Sequence, residues 1–287
     1  MNNFIVRTIT GIIFVAAIVT SFLNPMAMVL LFALVTGLTV WEFTGLVNTH
    51  RGVQVNRFIS TVAAVYLFLA MAGYNSGYAM GGNNFGNAPG AIFIPYLITI
   101  IYLLVAELYL KAEDPIANWA YTMMAQLYIA LPFSLLNVLA FPAAGSYSYV
   151  LPLSVFVFLW VNDSGAYCCG SLLGRHKLFP RISPGKSWEG SIGGGLLVVA
   201  VAVGIYFLLG ENQQHGGLNA LQWAGLGLTV VVFGTWGDLV ESLFKRTLGI
   251  KDSGNILPGH GGMLDRFDSS LLAIPAAVVY LFTLTLL

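Results

Sequence analysis

The chain has 287 residues, of which 57% are hydrophobic and only 8% charged, against roughly 25% charged in a soluble domain. Its 12 basic and 12 acidic side chains cancel, so there is no cationic surplus with which to hold nucleic acid by displacing counterions. A soluble globule with so little surface charge would aggregate, and the sequence reads as an all-α, polytopic integral membrane protein.

A bilayer-crossing helix needs about 20 predominantly apolar residues, and that ruler predicts nine spans, over residues 5–23, 26–47, 58–75, 91–110, 119–140, 149–170, 190–209, 220–241 and 269–287. The first has Arg7 ahead of its apolar run, as a secretory signal would, but its length and the lack of an A-x-A site favour a retained helix. The Gly- and Asn-rich stretch after the third span, residues 73–90, reads as a non-cytoplasmic loop. Every Lys and Arg falls at the amino terminus or in alternate connections: Arg7 at the amino-terminal edge of the first span, Arg51 and Arg57 after the second, and Lys111 after the fourth. Arg175, Lys177, Arg181 and Lys186 follow the sixth, and Lys245, Arg246, Lys251 and Arg266 follow the eighth. The positive-inside rule then predicts a cytoplasmic amino terminus and a carboxyl terminus outside.

Cys168 and Cys169 are adjacent and have no third partner, which excludes a disulfide framework or a thiolate zinc site. His50, His176, His215 and His260 show no paired metal spacing. The charge is instead concentrated late in the chain: residues 161–268 hold 16 of the 24 charged side chains. Because a charge at the bilayer centre costs about 2.5–3.5 kcal/mol on insertion scales, residues 1–148 read as a scaffold of five helices. Residues 149–287 read as a catalytic region of four helices with a cytoplasmic-facing site.

Two clusters carry chemistry. The first opens with Asp163, about two turns inside the sixth span, where an ionisable residue is a functional candidate by default. It continues to Ser183-Pro-Gly-Lys186-Ser-Trp-Glu189, in which a compact turn with an ammonium group suits a phosphate. A Walker A loop is excluded, since its first glycine would fall where Pro180 stands. The second cluster packs nine charges between Asp238 and Asp268. Asp238, Glu241, Ser242 and Lys245 share one helical face, as do Asp265 and Asp268. Carboxylates so closely spaced, with oxygen donors only, suit Mg²⁺ or a similar hard cation. Between them the Pro258-Gly-His260-Gly-Gly262 turn brings backbone close to a ligand, while Lys245, Arg246, Lys251 and Arg266 match the charge of a polyphosphate.

Ser242, Lys245-Arg246, Lys251-Asp252, Pro258-Gly-His260-Gly-Gly262 and Asp265-Arg266-Phe267-Asp268 reproduce, in order, a pattern S-x-x-K-R, K-D, P-x-H-G-G, D-R-x-D. This resembles the signature of phosphatidate cytidylyltransferases, and residues 163–167 and 182–190 are similar to the same family. The resemblance is specific over about residues 155–285 and extends only to hydropathy before that. It implies a nine-helix enzyme of the inner membrane, a homodimer among membrane lipids, that makes CDP-diacylglycerol from CTP and phosphatidate and releases pyrophosphate. On this reading Asp238, Asp265 and Asp268 hold Mg²⁺ (or Mn²⁺), with a second, monovalent cation such as K⁺ as a paired-centre variant. Lys186, Lys245, Arg246 and Lys251 hold phosphates; Ser183, Ser242, Asp163, Glu189, His260 and Arg266 contact substrate or support those that do. The rival readings are another CTP-dependent lipid transferase, such as a polyprenol kinase, and a secondary transporter.

Overall fold

The computed structural model describes residues 3–77, 89–143, 145–210, 217–254, 256 and 261–285. Among these, nine helices follow one another: α1 (Asn3–Phe22), α2 (Pro25–Val47), α3 (Arg57–Asn75), α4 (Ile94–Leu110), α5 (Pro115–Ala140), α6 (Val150–Leu173), α7 (Trp188–Leu209), α8 (Ala220–Thr247) and α9 (Leu264–Leu284). Eight of them are long and apolar enough to cross a membrane, and α1 contributes the shorter apolar stretch Thr8–Phe22. The all-α architecture expected from composition is therefore borne out.

Local chemistry sets where the helices begin. Asn24 accepts hydrogen bonds from the Met26 and Ala27 amides, with Pro25 opening α2; Asp114 accepts from Ala117, with Pro115 opening α5. Each side chain satisfies a donor that the first turn would leave orphaned, and proline has no such donor to lose. Asn219 and Gln222 form a capping box at the start of α8. Because α8 runs on to Thr247 and α9 starts at Leu264, the charged residues around 238–245 and 265–268 all lie on helices, Asp238 and Glu241 within the apolar span read from hydropathy and Lys245, Asp265 and Asp268 beyond the spans.

One departure from the expected pattern lies between α6 and α7. The stretch 183–187, expected as a compact turn, is instead a strand, β2 (Ser183–Ser187), paired antiparallel with β1 (Lys177–Phe179). The chain leaves α6 through Gly174 and folds back as a hairpin, and Ser187 then caps α7 by accepting from the Gly190 amide. Lys186 thus projects from a hydrogen-bonded ribbon fused to a helix start.

The chain forms two compact units: residues 1–147 with 252–267, and residues 148–251 with 268–287. The first is built on an aromatic cluster in which Phe133 and Phe267 meet edge to face at 5.4 Å, flanked by Phe14 and Phe32. Polar side chains hold its helices together as well: Gln126, in a π-helical turn of α5, donates to the Ser60 carbonyl, and Asn137 donates to that of Phe68. Such bonds matter between membrane helices, where lipid is as apolar as leucine and cannot drive association.

The second unit rests on close backbone approach. A Cβ on Gly165 of α6 would stand 3.0 Å from the Gly194 Cα of α7, and one on Gly194 would stand 2.7 Å from the Asn162 carbonyl oxygen. Gly237 of α8 faces the Asp268 and Ser269 backbone in the same way, with the Asp268 carbonyl oxygen 2.7 Å from where a Cβ would lie. Small residues let the backbones touch, and the Gly237 contact brings the acidic turn of α8 against Asp268 and Ser269 of α9.

Candidate active site

The centre of the second unit is the charged last third of α8. Asp238 Oδ2 is 2.6 Å from Lys186 Nζ of β2, and Asp238 Oδ1 accepts a hydrogen bond from the Ser242 hydroxyl, one turn on, at 3.1 Å. Both members of the ion pair are about a quarter exposed (25% and 28%). Solvent and other ions can therefore reach the pair, and it contributes little to stability. An anion arriving at Lys186 and a cation arriving at Asp238 would each replace one partner of an existing pair.

Asp268 adds to this carboxylate. It is half-buried in α9, its Oδ1 accepts from the Ser269 amide at 2.5 Å, and it lies within electrostatic range of Asp238, Asp163 and Lys245. Carboxylates of α6 and α8 thus lie within electrostatic range of the Asp268 carboxylate of α9. Lys245 pairs with Glu241 along α8 at 2.7 Å, and both are buried, with Glu241 fully so. Arg246 donates to the Ile250 carbonyl, closing the end of α8, and Lys251 beyond it is exposed.

Glu189 organises the hairpin. Its carboxylate accepts from the Arg175 and His176 amides and sits 2.6 Å from the His176 ring nitrogen. As an acid in the first turn of α7 it also suits the positive end of the helix dipole. Ser183, at the start of β2, pairs in register with Phe179. Lys186 follows three residues later on the same strand, so Glu189 and the strand ladder together hold the Lys186 backbone in place.

The rest of the motif belongs to the first unit, and there the structure shows a residue that motif reading passed over. Glu42, buried near the end of α2, accepts hydrogen bonds from the Ser253 hydroxyl and from the Met263 and Leu264 amides. The Asp265 carboxylate accepts from the Ser253 and Gly262 amides at 2.8 Å each. Two acids thereby tie down the chain at Ser253 and at Gly262–Leu264 and cap the start of α9. Arg266 is exposed, and His260 lies outside the described residues. Glu42 was visible in the sequence as a lone acid at the end of an apolar span, but no spacing linked it to residues 253–264.

Of the expected site residues, the second unit therefore brings together Asp163, Lys186, Asp238, Ser242, Lys245 and Asp268, with Glu189 behind Lys186. Asp265 serves the loop of the first unit with one of its oxygens. Among the described residues no group of three or more His, Cys, Asp or Glu is already at metal-binding spacing. The donor chemistry nevertheless fits a hard cation. Asp163, Asp238 and Asp268 offer oxygen only, and a divalent ion held there would relieve the repulsion that Asp238 and Asp163 exert on Asp268.

These features agree with the comparison to known proteins. Residues 5–284 match the sequence model of the cytidylyltransferase family. The chain is 31% identical to the phosphatidate cytidylyltransferase of Haemophilus influenzae, covering 94% of this chain and 95% of that one. It is 33% and 32% identical to proteins of the same name from Staphylococcus haemolyticus and Staphylococcus aureus, with 94% of this chain and 96% of each relative covered. A match over almost its whole length, joined to the lysine–carboxylate arrangement of α8 and the hairpin, assigns this chain to the cytidylyltransferase family.

Proposed function

We propose that the protein is a phosphatidate cytidylyltransferase, converting CTP and phosphatidate to CDP-diacylglycerol and pyrophosphate. The observation that carries this reading is the Lys186–Asp238 pair beside Asp268 and Asp163, a cation and clustered carboxylates ready to exchange partners with a polyphosphate and its metal. A phosphate oxygen of phosphatidate attacks the α-phosphorus of CTP, and the bond from that phosphorus to the oxygen bridging to the β-phosphate breaks. With a second phosphate pKa of about 6, the attacking group is already ionised near neutral pH, so no protein base is needed. The protein's task is to align two polyanions and neutralise them.

Lys186 holds phosphate, oriented by Glu189 and the strand. Lys245 offsets the acids from within α8, while Arg246 and Lys251 supply positive charge where CTP arrives. Asp238 and Asp268 are the carboxylates of the second unit that would hold Mg²⁺ or Mn²⁺. When bound, that ion supplies charge neutralisation at the transferring phosphorus and the departing pyrophosphate. The alternation of Lys and Arg between connections supports a multi-pass protein of the inner membrane with this site facing the cytoplasm, and a homodimer completes the proposal.

The test is turnover by purified protein in mixed micelles, followed as both CDP-diacylglycerol and pyrophosphate. Phosphatidate-dependent release of pyrophosphate, abolished in an Asp238→Asn variant that stays folded, is the expected result. Release of CDP with phosphorylation of a lipid alcohol would establish a kinase instead. Solute uptake by vesicles without nucleotide would favour a transporter.

A further inference from the structure

Of the two acids on the charged face of α8, Asp238 serves the metal and Glu241, one turn on, does not. Glu241 is fully buried, Lys245 is 9% exposed, and their side chains meet at 2.7 Å. Burying an ion pair costs desolvation that its own attraction seldom more than repays, and two apolar residues in its place are often as stable. Stability therefore gives no reason for an acid and a lysine at these positions. On a helix of membrane-spanning length and hydropathy, such residues are functional candidates by default.

The surroundings of the lysine supply the reason. Long side chains lean towards the N-terminus of their helix, and Lys245 reaches back a full turn to Glu241, next to Ser242, whose hydroxyl is bonded to Asp238. The Lys245 ammonium also lies within electrostatic range of Asp268, although Asp238 and Asp163 act on that carboxylate more strongly. An uncancelled ammonium there would neutralise Asp268 and compete with any cation for it. Paired to Glu241, the lysine brings no net charge. The three carboxylates Asp163, Asp238 and Asp268 and the one ammonium of Lys186 then carry a formal charge of −2, the match of a single divalent ion. An uncancelled Lys245 would reduce that to −1.

We propose that Glu241 is a positioning residue: it holds the Lys245 ammonium on α8 and cancels its charge, which leaves Asp238 and Asp268 to a divalent cation. The inference rests on the reading of these carboxylates as the metal ligands of a cytidylyl transfer. Glu241 contacts neither substrate nor metal and acts through Lys245. What matters is the charge of the acid and not its bulk. An amide of the same size should therefore fail where removal of both charges does not.

The experiment titrates Mn²⁺ into purified protein in mixed micelles without substrate, reading free Mn²⁺ by electron paramagnetic resonance. It compares wild type, Glu241→Gln and the double variant Glu241→Gln/Lys245→Met, and follows phosphatidate turnover against Mg²⁺ in parallel. Glu241→Gln is expected to bind Mn²⁺ about 10- to 100-fold more weakly, the range for groups that support metal ligands without touching the metal. Its kcat should return when Mg²⁺ is raised by the same factor. The double variant should bind Mn²⁺ within about twofold of wild type, the tolerance of additive effects, because the pair leaves as a neutral unit. Unchanged Mn²⁺ binding in Glu241→Gln, a double variant as weak as the single one, or a kcat that no Mg²⁺ concentration restores would overturn the proposal. Should Glu241→Gln fail to fold, the double variant decides alone. Binding close to wild type upholds the cancelled pair, and a tenfold loss or gain refutes it. Phosphatidate turnover with unchanged Mn²⁺ binding in Glu241→Gln sinks this inference only, and the expected binding pattern in a protein that never turns phosphatidate over sinks the parent reading only.

Discussion

Glu42 and Ser253 stand 211 positions apart in the chain, yet the Ser253 hydroxyl donates directly to the buried Glu42 carboxylate. That carboxylate also receives the amides of Met263 and Leu264. An acid near the end of the second helix therefore holds Ser253 together with the first amides of α9. Its value is not Coulombic pairing with a cation but satisfaction of donors that burial would otherwise strand.

Removing the acceptor should be expensive. Each stranded buried donor costs about 1–3 kcal/mol, so Glu42→Ala is expected to lose at least about 3 kcal/mol, seen as a markedly lower Tm in detergent. Ser253→Ala removes two bonds, the donation to Glu42 and the longer one accepted from the Asp265 amide, and should cost about 1–2 kcal/mol. If Glu42→Ala melts like wild type, the carboxylate does not hold the loop in solution.

The Lys186–Asp238 pair predicts the opposite separation of stability from activity. Exposed pairs are worth about 0–1 kcal/mol, so Lys186→Met and Asp238→Asn should leave Tm within a degree or two of wild type. Turnover should fall about 100-fold or more, the scale set by losing one preorganised charge at a reacting phosphate. For Lys186→Met we expect a raised KM for an anionic substrate as well. A drop in Tm that tracks the drop in turnover would mark the pair as structural.

Gly237→Ala tests the contact that brings α8 to the start of α9. A Cβ there would meet the Asp268 carbonyl oxygen at 2.7 Å and the Ser269 Cα at 3.0 Å, both backbone atoms that no rotamer change can move aside. The helices must separate, moving Asp238 away from Asp268. Lower folded yield and loss of turnover are expected, with Gly204→Ala, where a Cβ meets nothing within 4 Å, as the tolerated control.

Glu189→Gln keeps the size of the side chain but weakens its charge-assisted bonds to the Arg175 and His176 amides and ring. These bonds lie at the surface, so global stability should change little. The hairpin carrying Lys186 should loosen, giving faster hydrogen exchange in residues 175–187 and a turnover reduced about tenfold. Unchanged exchange would assign Glu189 a direct rather than an organising role.

Metal dependence checks the carboxylate cluster. Chelation should abolish turnover, and Mg²⁺ or Mn²⁺ should restore it, because an all-oxygen donor set favours hard cations. Restoration by Zn²⁺ alone would contradict that chemistry.

How much of this was legible beforehand depended on the range of the interaction. Hydropathy by itself determines the all-α membrane class, because a spanning segment must bury its own backbone hydrogen bonds and be apolar for its full length. Spacing along one helix likewise placed Asp238, Ser242 and Lys245 on a common face, since 3.6 residues per turn is a local rule. Three features were decided only by tertiary structure. The 183–187 stretch is a strand because its partner, residues 177–179, folds back against it. Asp163 joins Asp238 and Asp268 because glycine-to-backbone contacts draw α6, α7, α8 and α9 together. Glu42 reaches the 253–264 segment across more than two hundred residues. A single sequence records which residues are charged and how they are spaced, but the acceptor that a buried amide will find is set by packing that no local period encodes.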